Sequence, residues 1–125
     1  MSIIHTELIK GIELYQKNQY QLAQAKFKYV LSKDHSSLIA HRYLTEIALI
    51  EGTAKNHIAP LIACMAAHPA SSELSYTLGM CYQQARELPL AVAQYRHALE
   101  MFLDTPPIHS YKQQPKVEFD TKIHE

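Results

Sequence analysis

Eight histidines and two cysteines in 125 residues are the side chains that first invite a chemical reading. Cys64 and His68 stand four residues apart, the spacing that places two ligands on one helical face, and His35 and His41 flank a candidate turn. A zinc site takes four ligands, commonly from pairs such as C-x-x-C or H-x-x-x-H, and neither spacing occurs here. A satisfied, structural role is the simpler reading of Cys64 and of His57. No G-x-S-x-G, no Gly-rich phosphate loop and no Ser/His/Asp or paired-carboxylate arrangement stands out. Glu7, Glu13, Glu46, Glu51, Glu73, Glu87 and Glu100 are scattered and read as solvated helix faces. The sequence therefore assigns no catalytic residue, no metal and no cofactor, and predicts a protein that is not an enzyme.

Twelve basic side chains balance twelve acidic ones, so no net field draws nucleic acid or an anionic membrane. Two widely spaced cysteines are no disulfide framework and suit a reducing compartment. The first residues, MSIIHTELIKGIELY, lack a basic region followed by an apolar core and a cleavage site, and no apolar run approaches the roughly 20 residues of a membrane helix. A cytoplasmic location is the expectation. Glycine occupies only three positions and apolar residues 47%, which favours a packed helical chain.

The elements that would position any site emerge from LGMCYQQARELPLAVAQYRHAL, residues 78–99, where Gly79 interrupts a helical pattern at a cost of about 1 kcal/mol relative to alanine. Shifting the chain by 34 residues aligns Gly11, Thr45 and Gly79, and likewise Leu14, Ala48 and Tyr82. Ala23, His57 and Ala91 then coincide, as do Phe27, Leu61 and Tyr95; Val30, Cys64 and Ala98; and Leu31, Met65 and Leu99. His35, Pro69 and Leu103 fall where each unit ends. A 34-residue period carrying L-G-x-x-Y, A-x-x-x-F/Y and a closing proline resembles the tetratricopeptide repeat, in three tandem copies over roughly residues 4–103. The third copy matches best. The first has Lys10 in the leucine slot, and the middle one has Thr45 for glycine and His57 for the small alanine.

The pattern predicts helices near 3–17, 20–33, 37–51, 54–67, 72–85 and 88–102. The resemblance implies an all-α, right-handed solenoid of three helix–turn–helix units, with residues 1–103 as the repeat domain. Pro60 favours a late, short fourth helix, with Asn56 as its cap. In the last helix Leu88, Ala91, Val92, Tyr95, Ala98, Leu99 and Phe102 recur at helical spacing and predict one continuous buried stripe. Residues 104–125 turn polar, Pro106, Pro107 and Pro115 stop the helix, and Val117, Phe119, Thr121 and Ile123 alternate with charges. That segment reads as a tail, or as a linker into another domain or chain.

In the tetratricopeptide family the first helix of each unit lines a concave groove that holds a peptide or helix of another protein. By register, that face implies Leu8, Ile12 and Tyr15 in the first unit. The second contributes Arg42, Glu46 and Leu49, and the third Glu73, Tyr76, Met80 and Gln83. Some relatives grip a C-terminal carboxylate with Lys, Asn and Arg, but the matching positions here hold Leu8, Ile12, Glu46, Glu73 and Thr77. A largely apolar groove suits an amphipathic helix or hydrophobic peptide, as in secretion chaperones built from these repeats. The competing reading packs Leu8, Ile12 and Tyr15 inward. The expected function is a non-enzymatic adaptor, scaffold or chaperone with a protein ligand; the alternative is the N-terminal regulatory or assembly domain of a larger enzyme such as a bacterial transferase. Pro106 and Pro107 stop the chain short of a capping helix. The end of the stack is therefore expected to be covered by a second copy of the chain, by the folded-back tail with Phe119 and Ile123, or by a following domain. No nucleic-acid or membrane partner is expected.

Overall fold

A serine starts each of three helices. Ser2, Ser37 and Ser71 accept hydrogen bonds from the backbone N–H groups of His5, Ala40 and Leu74 at 3.1, 3.3 and 3.2 Å, satisfying donors that a helix start leaves orphaned. The computed structural model describes residues 2–104 and, within them, contains six α-helices and no strand: α1 (Ile3–Gln16), α2 (Tyr20–Lys33), α3 (Leu38–Glu51), α4 (Ile58–Ala67), α5 (Ser72–Gln84) and α6 (Leu88–Asp104). A 3-10 turn, Ala54–His57, precedes α4. None of these helices is long and apolar enough to cross a membrane. The alternation predicted for 117–123 lies outside the described residues.

The connections α1–α2, α3 to the 3-10 turn, and α5–α6 share one geometry at intervals of 34 residues. Asn18, Gly52 and Arg86 take positive φ values of 62°, 81° and 66°. The following N–H groups, of Gln19, Thr53 and Glu87, donate to the carbonyls of Leu14, Ala48 and Tyr82 at 2.9, 2.8 and 2.8 Å. A left-handed residue followed by a bond back five residues closes a helix end by satisfying its free carbonyls. Glycine fits that conformation without strain, asparagine tolerates it, and Arg86 holds it against a steric cost.

Two adjoining apolar clusters fill the interior. Ala23, Phe27 and Val30 of α2 meet Ala40, Leu44 and Ile47 of α3, with Ile4, Leu8, Ile12 and Tyr15 of α1 packed against them. The second joins Ala48 of α3, Ala54, Leu61 and Cys64 to Leu74, Leu78 and Cys81 of α5. Helix α3 is thus the shared wall. Gln84 ties α5 to its end: the side-chain amide donates to the Leu49 carbonyl at 2.9 Å, and its oxygen accepts from the Ala54 N–H at 3.1 Å.

The glycine at 79 is explained by an aromatic ring. A Cβ placed there would lie 2.7 Å from Cδ1 and Cε1 of Tyr95, and one at Gly11 would lie 2.8 Å from Cε1 of Phe27. Both glycines let a ring sixteen residues later rest on the helix backbone. In the middle unit the matching ring position is Leu61, and the smaller partner leaves room for buried Thr45, whose hydroxyl donates to the His41 carbonyl at 2.7 Å.

Three expectations need correction. Pro60 does sit in the first turn of a short α4, but His57, not Asn56, occupies the capping position and makes no side-chain cap bond. The 3-10 turn shifts the register, so Ala54 is the fully buried small residue and His57 is only half-buried. The predicted buried stripe of α6 is split. Ala91 and Ala98 are buried, whereas Leu88, Val92, Leu99 and Phe102 are 57%, 51%, 57% and 58% exposed, because no further helix packs on that side among the described residues.

Candidate functional site

Three of the side chains singled out by their chemistry, those of His41, Cys64 and His68, hold the α2–α3 loop. The ring Nε2 of His41 is 2.8 Å from the His35 carbonyl, and that of His68 is 2.7 Å from the Ser36 carbonyl. An oxygen acceptor requires a proton on Nε2, which sets that tautomer. Cys64 Sγ also donates to Ser36 O at 3.6 Å, so the i, i+4 pair converges on one backbone oxygen. Burial, and then the charge of Asp34, pushes the Cys64 thiol up, and burial pushes Cys81 up to about 11. Both thiols stay protonated near neutrality, the opposite of an activated nucleophile. Desolvation, then His41 and Lys28, lowers the His57 pKa. No three His, Cys, Asp or Glu side chains among the described residues are grouped to hold a metal.

An open groove of about 670 Å³ lies instead between α5 and α6. Ser72, Glu73, Tyr76 and Gln83 line it from α5, and Tyr95, Ala98, Leu99 and Phe102 from α6. The Tyr95 hydroxyl donates to Gln83 Oε1 at 2.7 Å, and its ring meets that of Tyr76 at 5.5 Å between centroids. Burial first, then Tyr76 and Cys81, raises the Tyr95 pKa, so the phenol remains a neutral donor. At the rim Glu73 pairs with Arg42 at 3.2 Å, and the Arg42 guanidinium stacks 5.0 Å above the Tyr43 ring. The surface is aromatic and aliphatic with a charged edge, suited to apolar side chains and devoid of an activated group.

The sequence-predicted groove residues divide between interior and surface. Leu8, Ile12 and Tyr15 pack against the α2–α3 cluster; Tyr15 makes edge contacts with Tyr20 and Tyr43 at 5.5 and 5.1 Å. Burial, and then the Glu46 carboxylate, raises the Tyr15 pKa. Leu49 packs on the second cluster, and Met80 is half-buried outside the groove lining. Glu73, Tyr76 and Gln83 do line the groove, and Arg42 reaches its rim. The α6 contribution was missed. Its signal was in the 34-residue alignment: Leu31, Met65 and Leu99 coincide, and the first two are covered while Leu99 is not.

That alignment gives the groove its meaning. Leu8, Tyr15, Phe27 and Leu31 pack in the cluster that α3 closes; of their counterparts, Leu49, Leu61 and Met65 pack in the one that α5 closes, while Arg42 pairs with Glu73 of α5. Tyr76, Gln83, Tyr95 and Leu99 present the same face a third time with no described helix across it. Neither a protein-family model nor a curated protein sequence matches the chain, so this geometry carries the functional argument.

Proposed function

We propose that the chain is a non-enzymatic protein-interaction module, built as a right-handed stack of three tetratricopeptide-like hairpins, and that it docks an apolar helical segment on the α5–α6 face. The thrice-repeated turn at residues 18, 52 and 86 supports the repeat reading. The observation that carries the function is the groove itself: a surface whose two internal counterparts are each filled by a helix is left open, apolar and about 670 Å³ in volume. Contiguous apolar surface of this kind marks a contact site, and helix-in-groove binding is the mode its shape favours.

The test is retention of polypeptides from cell extract by the tagged full chain, compared with Tyr76→Glu and Phe102→Glu. Both residues are more than half exposed, so helicity should be unchanged. Wild type should retain a polypeptide that both variants release. Binding that survives both substitutions places recognition elsewhere and ends the assignment.

A further inference from the structure

We draw no further inference here: the strongest candidate, the exposed apolar stripe of α6 formed by Leu88, Val92, Leu99 and Phe102, carries none because nothing in the structure shows what covers it.

Discussion

Phe27 and Tyr95 occupy the same place 34 × 2 residues apart, each resting on a glycine sixteen residues earlier, yet their surroundings differ. Phe27 is fully buried and stacks on Tyr43 of α3 at 5.2 Å. Among the described residues Tyr95 meets only a ring of its own hairpin, Tyr76 at 5.5 Å, and bounds the open groove, with its hydroxyl turned to Gln83. The same local pattern is therefore core at one end of the molecule and surface at the other. What differs is the next element, not the helix itself: α3 supplies Ala40, Leu44 and Ile47 across the first face, and no described helix does so across the third.

The largest expected effect lies in those two rings. Phe27→Ala should destabilise by about 4 kcal/mol, since the loss of a buried ring leaves a cavity between three helices. Tyr95→Ala should cost about 1–2 kcal/mol, having less burial to lose. Urea denaturation compares them, and equal costs would break the contrast between the two ends.

The glycines sharpen it. A methyl at Gly11 meets Phe27, which cannot move, and Gly11→Ala should cost about 1–2 kcal/mol even after the helix-propensity gain. A methyl at Gly79 meets the Tyr95 ring, which can swing into the groove, so Gly79→Ala should lie within about 1 kcal/mol of wild type. The reverse order in thermal unfolding would show that Tyr95 is held as firmly as Phe27.

The turns offer a smaller contrast. Arg86→Gly relieves a side chain at φ 66°, and should stabilise by about 0.5–1 kcal/mol. Gly52→Ala, at φ 81°, should destabilise by about 1 kcal/mol. Chemical denaturation of the two variants gives opposite shifts if the turns are equivalent.

The smallest effect is in pH dependence. His57 titrates below its ordinary 6.5 because burial disfavours the cation, so the folded chain binds that proton less readily than the unfolded one. Its contribution is fully present above 6.5 and is lost as pH falls through the lowered folded-state value. His57→Gln should flatten the stability profile in the mildly acidic range below 6.5, measured as the urea midpoint against pH. A profile unchanged by the substitution would place the titration in another residue.

Most helix positions were legible in the sequence because the local signals agree with one another. Serine caps at 37 and 71, the positive-φ turn at Gly52 and the apolar spacing all mark the same boundaries. The 3-10 turn was less legible, since Ala54 and His57 compete for one small slot and only packing against α3 and α5 decides between them. Three α5 groove residues could be read from register. Leu8, Ile12 and Tyr15 carried the same signal and are half-buried against the α2–α3 cluster.

Local patterning specifies the helical elements and a 34-residue period. It also specifies which side of each helix is apolar, because propensity, capping and spacing act within a few residues. The tertiary structure decided which apolar faces are core and which remain surface. An apolar side chain gains stability only when another element covers it, and the helix pattern of α6 does not say what lies across from it. Leu31 and Leu99 occupy equivalent positions; the presence of α3 beside one and of open space beside the other assigns their roles.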